Sequence, residues 1–365
     1  VPTYTFVKPA EYLSLQVALD TNGRGLIVEG PSGIGKTTSV LKVLDDISSG
    51  KKPMVLSARK PSDRVRIKMI PNEADFGLVV IDDFHRLDSP TKERYADLLK
   101  TLADEESSTC KLVLIGINKT GQPLLATSRD LRNRIDVIKF ESNTEDKIEE
   151  LLMLGEKALN ITLTIKEEIA QGAEGSFHIA QMLAHRACIL AQFSQEGAIQ
   201  TSINTSFTSV KEAVLDELSQ SFYRLAKLFC GGQRVKKGSR APYLHVLNWL
   251  SKEKEWTLNV RDALSKYPVH KQSVGQIIDR GHLEGHLMAN PELDEVIFYD
   301  NTSSTLSIED PKFYYYIKHI SWGNFSRNIG FPAVEFKFKY DFALSFSGSQ
   351  RSLAEAIFHN LSENE

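Results

Sequence analysis

The stretch that decides the fold is Gly30-Pro31-Ser32-Gly33-Ile34-Gly35-Lys36-Thr37-Thr38. Glycines at this spacing let the backbone bend tightly and aim successive N–H groups inward, which suits an anion. A helix expected over 39–47 adds unpaired N–H groups and a positive dipole end at the same point. The apolar run 25–29 before the stretch predicts a buried strand. This order of strand, glycine loop and helix predicts a phosphate-binding loop.

The stretch resembles the loop of the P-loop NTPases, whose pattern is G-x-x-x-x-G-K-[ST]. The resemblance implies that Lys36 reaches the outer phosphates of ATP or ADP and that Thr37 offers its hydroxyl to Mg²⁺. We therefore expect every residue of the loop to contact the nucleotide, namely Gly30, Pro31, Ser32, Gly33, Ile34, Gly35, Lys36, Thr37 and Thr38.

A second motif is the apolar run 78–81, which ends in Asp82 and Asp83. The strand places Asp82 at its C-terminal end, where the carboxylate can hold Mg²⁺ through water. Asp83 can orient or deprotonate the attacking water. Carboxylates also end strands as turn formers, but the phosphate loop upstream and an expected strand over 53–57 favour the Mg²⁺ interpretation.

Composition limits the remaining possibilities. The chain has 365 residues and a net charge of −3, so we expect two or three domains and no global attraction to nucleic acid or anionic lipid. Three scattered cysteines predict reduced thiols in a cytoplasmic protein. No apolar run approaches the roughly 20 residues that span a bilayer. Because the chain begins at Val1, we expect it to be trimmed or numbered from within a longer protein.

The fourth expected strand, 111–117, ends at Asn118, and a fifth covers 136–140. Five strands, an extra strand between the two motifs and a polar residue after the fourth resemble the AAA+ superfamily. The resemblance implies that Asn118 touches the third phosphate or the attacking water. The alternative is a turn residue.

Arginines precede the fifth expected strand, at Arg129, Arg132 and Arg134. In AAA+ rings, arginines at this point project toward the neighbouring subunit's nucleotide and stabilise transition-state charge in trans. The alternative is a solvated basic turn, and the sequence does not rank Arg132 against Arg134.

The ending Asp82-Asp83 departs from the Asp-Glu of many AAA+ motors. It is similar to the signalling NTPases called STAND and to DnaA-type initiators. A shorter acid reaches less far, so we expect slow hydrolysis, which suits a switch.

Two segments are expected to contact the nucleotide from outside the sheet. Phe6, Val7 and Pro9 offer flat apolar surface, which covers the adenine base in many P-loop ATPases and otherwise only packs. A helical lid is expected over 141–205. Its His178 falls where AAA+ lids carry a second sensor, usually arginine, and a histidine can still donate to a phosphate. The alternative is a packed histidine.

Helices followed by a hairpin around 300–304 resemble a winged helix over 206–322. Asp294, Glu295 and Asp300 would repel DNA phosphates. The basic loop is more typical of a solvated loop; it comprises Arg234, Lys236, Lys237 and Arg240. We therefore do not favour contact with nucleic acid, and expect this region to pack on the nucleotide core and hold it closed.

A linker is expected over 323–339. The string Tyr340-Asp341-Phe342-Ala343-Leu344-Ser345-Phe346-Ser347-Gly348, with a helix over 352–361, resembles the opening of a TIR domain, which is flavodoxin-like. The segment 340–365 is only its start. The resemblance implies that the catalytic glutamate of a TIR NADase lies on a later helix beyond these residues. The alternative is a hairpin and helix that belong to the winged-helix unit.

The prediction is thus an α/β chain of the STAND/AAA+ type, with a five-stranded parallel sheet over 1–140 followed by the lid, winged helix, linker and TIR start. The resemblance implies a slow ATPase that uses ATP/ADP and Mg²⁺. On an unidentified phage or cellular trigger it would form a homo-oligomer, away from membranes, and cluster TIR domains that hydrolyse NAD⁺ in antiphage defence. One alternative is a DNA-binding AAA+ ATPase of the origin-recognition or transposition-accessory type. The other is a TIR scaffold without NADase activity.

Overall fold

The computed structural model describes residues 5–47, 52–117, 133–193, 199–232, 240–332, 334 and 336. Its contacts divide the chain into one unit over 1–320 and a second over 321–365. Asn118, Arg129 and Arg132, most of the basic loop, and the expected start of the TIR domain lie outside the described residues.

A parallel sheet organises the first unit. Its strands are β1 (Gly25–Glu29), β2 (Met54–Ser57), β3 (Leu78–Asp82), β4 (Lys111–Gly116) and β5 (Ile135–Lys139). They lie in the order β2-β3-β4-β1-β5, and each neighbouring pair is parallel. The five strands expected from the sequence are confirmed, and they form the expected parallel sheet.

Helices cover both faces of this sheet. They are α1 (Tyr12–Asp20), α2 (Lys36–Ile47), α3 (Pro61–Met69) and α4 (Ser89–Asp104). Successive strand residues point to opposite faces. Accordingly, Leu26 and Val28 share a core with α1 and α2, whereas Ile27 packs with α4. Burial on both faces explains why these strands are continuous apolar runs in the sequence.

Parallel strands bring their carboxyl ends to one edge of the sheet. β1 ends at Glu29, directly before the phosphate loop, and its neighbour β4 lies between it and β3, which ends at Asp82. The topology therefore places the loop and the two carboxylates at the same edge, where ligands bind in open α/β sheets.

A helical region follows the sheet. It contains α5 (Glu145–Leu159), β6 (Ile161–Leu163), α6 (Lys166–Gly172), α7 (Phe177–Leu190) and β7 (Thr201–Ile203). The region expected to be a helical lid, 141–205, contains three helices and also a strand pair that was not expected, in which β7 is parallel to β6. Its assignment as an AAA+ lid stays a prediction. Only Ile203 of β7 is buried, so the strand leaves no apolar periodicity in the sequence.

The rest of the first unit combines helices with a small sheet. Its elements are α8 (Phe207–Gly231), α9 (Pro242–Leu250), β8 (Thr257–Asn259), α10 (Val260–Lys266), α11 (Lys271–Asp279), α12 (His282–Ala289), β9 (Ile297–Asp300), β10 (Thr305–Ile308) and α13 (Pro311–His319). The sheet is antiparallel, in the order β8-β10-β9. The hairpin expected around 300–304 is confirmed, and its assignment to a winged helix stays a prediction.

In the second unit, α14 (Trp322–Asn328) replaces the first part of the expected linker. Trp322 and Phe325 are buried one helical turn apart, with their rings 5.7 Å from each other. Gly323 and Asn328 suggested a linker, but the aromatic pair stabilises a helix. Within the described residues, no helix has both the length and the apolar character that crossing a membrane requires.

Candidate nucleotide site

A cavity of about 560 Å³ opens at the carboxyl edge of the parallel sheet. The phosphate loop and the end of β3 form its base, while α7 and the segment before α1 form its walls. Much of the predicted site lines it, namely Phe6, Val7, Ser32, Gly33, Gly35, Lys36, Thr37, Thr38, Asp82, Asp83 and His178. Pro9 is buried outside the cavity wall.

Lys36 is held against its own loop. Its Nζ donates to the carbonyl oxygens of Gly30 at 2.8 Å and Pro31 at 2.6 Å. Burial lowers the pKa of Lys36 to about 8, although the nearby charge of Asp82 opposes the shift. Neutral carbonyls are weaker acceptors than charged oxygens, so a phosphate in the cavity would compete for this ammonium group.

The two predicted metal ligands contact each other. Thr37 Oγ1 donates to Asp82 Oδ2 at 2.8 Å, and the backbone N–H of Asp83 donates to Asp82 Oδ1 at 2.8 Å. Burial, and then the charge of Asp83, raise the pKa of Asp82. Hydroxyl and carboxylate oxygens are ligands that Mg²⁺ prefers, and a cation here would offset the like charges. The residues therefore fit Mg²⁺.

Asp83 is turned away from this pair. Its φ of 56° is left-handed, and its carboxylate accepts from Ser57 Oγ at 3.1 Å and pairs with Arg59 Nε at 3.0 Å. A left-handed backbone at a non-glycine residue is uncommon and costs energy. The predicted role of Asp83 in activating water remains a prediction, and in this arrangement its carboxylate is occupied by Arg59.

The phosphate loop is covered from above. The N–H of His178 donates to the carbonyl oxygen of Gly33 at 3.4 Å. A Cβ atom added to Gly33 would lie 3.0 Å from Pro311 and 3.3 Å from His178 Cβ. Burial, and then the charge of Lys312, lower the pKa of His178. Residues from both the helical region and the start of α13 thus contact the loop.

Comparison with solved structures finds distant similarity over most of the chain. The RuvB Holliday junction branch migration motor of Thermotoga maritima matches at 15% identity and a TM-score of 0.43, covering 84% of this chain and 93% of that one. Cdc6p from Pyrobaculum aerophilum matches at 15% and 0.41, covering 90% and 96%. Domain III of the T. maritima replication initiation protein DnaA matches at 15% and 0.40, covering 53% and 90%. No protein-family model and no curated protein matches the sequence. The fold assignment therefore depends on the strand order and the loop geometry.

Arg134 lies apart from the cavity. It forms an ion pair with Asp104 at 2.9 Å, and its side chain is partly exposed. Its predicted action on a neighbouring subunit's nucleotide stays a prediction.

The sequence did not predict a group of charges around a buried carboxylate beside Asp83, which we call the Glu309 cluster: Glu309, Arg59, His85 and Arg86. The Glu309 side chain is fully buried and follows β10, whereas Arg59 follows β2 and the other two follow β3. Glu309 Oε1 lies 2.7 Å from His85 Nε2, and Oε2 lies 3.2 Å from Arg86 and also contacts Arg59. The cluster joins the parallel-sheet core to the antiparallel sheet.

Hydrogen bonds fix the charge state of the Glu309 cluster. Burial alone would raise the pKa of Glu309, but the hydrogen bond with His85 and the charges of Arg86 and Arg59 outweigh it and lower the pKa to about 2. The backbone N–H of Ile117 lies 3.4 Å from His85 Nδ1, and Nε2 of the same ring faces Glu309. A carboxylate directly after the strand 305–308 was the available sequence signal. It is weaker than the signal that identified Asp82, because this strand alternates polar and apolar residues whereas Asp82 ends an apolar run.

Proposed function

We propose that the protein is a nucleotide-dependent switch that binds ATP or ADP with Mg²⁺ and hydrolyses ATP slowly. The observation that carries this proposal is the contact of Thr37 with Asp82 beside Lys36, at the mouth of a phosphate loop. A hydroxyl, a carboxylate and an ammonium group within one cavity are the side chains that an Mg²⁺–triphosphate needs.

The chain's own groups divide the work. The loop N–H groups and the α2 N-terminus would hold phosphate oxygens. Lys36 would exchange its two carbonyl acceptors for the outer phosphates. Thr37 and Asp82 would hold Mg²⁺, which when bound neutralises charge that develops on the phosphates. Phe6 and Val7 line the cavity where an apolar base surface would pack.

Slow turnover is supported by the position of Asp83. Ser57 and Arg59 both contact Asp83 Oδ2, and these two contacts hold the carboxylate in one orientation. A base that is restrained in this way activates water less readily, and slow hydrolysis suits a switch better than a motor.

The output of the switch is proposed to be the segment that follows β10. Pro311 and the Glu309 cluster attach this segment to the phosphate loop and to β3, so nucleotide occupancy and the position of the segment are linked. These contacts support the expectation from the sequence that a winged helix packs on the core and holds it closed, which remains part of the proposal.

The proposed effector is a TIR domain that begins at 340 and hydrolyses NAD⁺ once activated chains form homo-oligomers. The support is the string Tyr340 to Gly348. Cells that express the complete gene should lose NAD⁺ on activation, and Lys36→Ala should prevent the loss. An intact NAD⁺ pool in activated cells would contradict this effector.

The alternative function is that of a DNA-binding ATPase. An affinity for duplex DNA that falls with rising salt concentration would favour it.

The primary test is nucleotide binding by Lys36→Ala, measured with a fluorescent ATP analogue. We expect affinity to fall by at least about 100-fold, since several charge-assisted hydrogen bonds are lost. Lys42→Ala is the matched control, because Lys42 lies on the same helix but pairs with Asp46 at 3.1 Å outside the cavity. Wild-type affinity in Lys36→Ala would overturn the site assignment.

Asp83→Asn should bind ATP but turn it over at least about tenfold more slowly.

A further inference from the structure

Arg59 belongs both to the Glu309 cluster and to the nucleotide cavity. It lines the cavity together with Lys36 and Asp83. Arg86, the second arginine of the cluster, instead donates to the backbone carbonyl of Asp294 as well as to Glu309. Arg59 is therefore the arginine that a bound nucleotide can contact.

The two side chains of the Arg59–Glu309 ion pair differ in their exposure to solvent. The Arg59 side chain is 39% exposed, whereas the Glu309 side chain is 0% exposed. An arginine at the cavity edge can turn toward a new partner without moving its backbone. Glu309 lies between β10 and α13, and its backbone N–H donates to Val296 at 2.9 Å. This carboxylate can leave the cluster only if its segment moves.

We propose that Arg59 distinguishes ATP from ADP, because the third phosphate competes with Glu309 for its guanidinium group. Phosphate oxygens bind guanidinium in charge-assisted, often bidentate hydrogen bonds. When Arg59 turns to the phosphate, Glu309 keeps only His85 and Arg86, and its attachment to the core weakens. ADP lacks the competing group and leaves the contact in place. This inference rests on the proposed nucleotide site and names the residue that links that site to the segment 305–319.

The first test compares the affinities of wild type and Arg59→Ala for ADP and for a non-hydrolysable ATP analogue, AMP-PNP. We expect Arg59→Ala to weaken AMP-PNP by at least about tenfold, the loss of one charge-assisted contact, and to change ADP by less than about twofold. Arg66→Ala is the matched control. Arg66 lies on α3, which begins two residues after Arg59, and pairs with Glu73 away from the cavity, so its loss should affect neither nucleotide.

The outcomes separate this inference from the proposed function. Equal weakening of both nucleotides, or of neither, would overturn the role of Arg59 while leaving the nucleotide site intact. Wild-type protein that binds neither nucleotide would overturn the site and this inference with it. Arg59→Lys keeps the positive charge but loses the bidentate guanidinium geometry. We expect it to lower the affinity for AMP-PNP by an intermediate amount and to leave the affinity for ADP unchanged. This variant provides the same comparison should Arg59→Ala fold poorly.

The second test is a double-mutant cycle with Glu309→Gln. Removing the competing charge should raise AMP-PNP affinity by up to about tenfold, because Arg59 is then held by Asp83 and no longer by Glu309. In the Arg59→Ala background the same change should have little effect, since coupled residues are not additive. If Glu309→Gln raised AMP-PNP affinity by the same factor in the Arg59→Ala background, Glu309 would act through its own charge. That result would overturn the proposed competition for Arg59.

The third test measures amide hydrogen exchange in the segment 305–319. Exchange should be faster with AMP-PNP than with ADP in wild type and in Arg66→Ala. Arg59→Ala should exchange at the same rate with either nucleotide. A difference between the nucleotides that survives in Arg59→Ala would overturn the link.

Discussion

Among the described residues, two ionic contacts link the parallel-sheet core to the region of the small antiparallel sheet, and they differ in burial. In the Glu309 cluster the carboxylate is fully buried and has three partners. In the other contact, Lys139 on β5 pairs with Glu255 at 2.9 Å, and the two side chains are 45% and 55% exposed. Water can replace either partner of the exposed pair at little cost, but it cannot reach Glu309. The contribution of these two contacts to stability therefore depends more on the burial of the charged groups than on the distance between them.

The largest expected difference is in stability. Glu309→Ala leaves Arg86 and His85 without their buried acceptor, and should lower the free energy of unfolding by roughly 3–5 kcal/mol. Urea denaturation measures the change. Glu309→Gln keeps an acceptor oxygen and should cost less. A loss below about 1 kcal/mol for Glu309→Ala would mean that the cluster behaves like a surface pair.

Acid should reveal the same contrast. The folded pKa of Glu309 is about 2 and the usual value is 4.5, so its contribution is fully present above pH 4.5 and disappears as pH falls toward 2. Each pKa unit is worth 1.36 kcal/mol, which makes the contribution on the order of 3 kcal/mol. Stability measured from pH 6 to 2.5 should fall less steeply in Glu309→Gln than in wild type. Identical slopes would contradict the lowered pKa.

A smaller effect is expected at the cover of the phosphate loop. Gly33→Ala forces alanine to a φ of +76° and brings its Cβ to 3.0 Å from Pro311. Gly77 has a similar φ of +67°, and a Cβ added there would have no neighbouring atom within 4 Å. Gly77→Ala therefore carries the backbone strain alone, roughly 1–2 kcal/mol. Denaturation midpoints should show a greater loss for Gly33→Ala. Equal losses of stability in the two variants would mean that Pro311 can move away from the added Cβ atom at little cost.

The smallest effect is expected for the exposed pair. Glu255→Ala should change the free energy of unfolding by only about 0–1 kcal/mol, and less at high salt. Denaturation at low and high ionic strength checks both statements. A loss comparable to that of Glu309→Ala would remove the distinction drawn from burial.

The sequence predicted the parallel sheet and the loop because their signals are local. Apolar runs such as 25–29 and 78–81 mark strands that are buried on both faces, and the loop pattern lies within nine consecutive residues. The prediction failed where local patterns are weak. Thr201–Ile203 is mostly polar, and the helix Trp322–Asn328 contains a glycine and an asparagine that suggested a linker.

The Glu309 cluster was missed for a different reason. His85 and Glu309 are 224 positions apart in the sequence, and nothing in either local pattern indicates that they meet. Asp83 illustrates the same limit, since its position after β3 was predicted but its pairing with Arg59 was not. Residue types at strand ends can be predicted from one sequence, but partners contributed by distant elements need the fold.

The contact of Pro311 and His178 with Gly33 has a consequence for the rate at which a bound nucleotide is released. His178 lines the nucleotide cavity, so separation of these residues from the loop would widen the path by which a nucleotide leaves. Separations of packed segments take microseconds to seconds, far longer than diffusion across a cavity. The residence time of a nucleotide would then depend on how often these segments separate, which is a property of the chain and not of the nucleotide concentration around it.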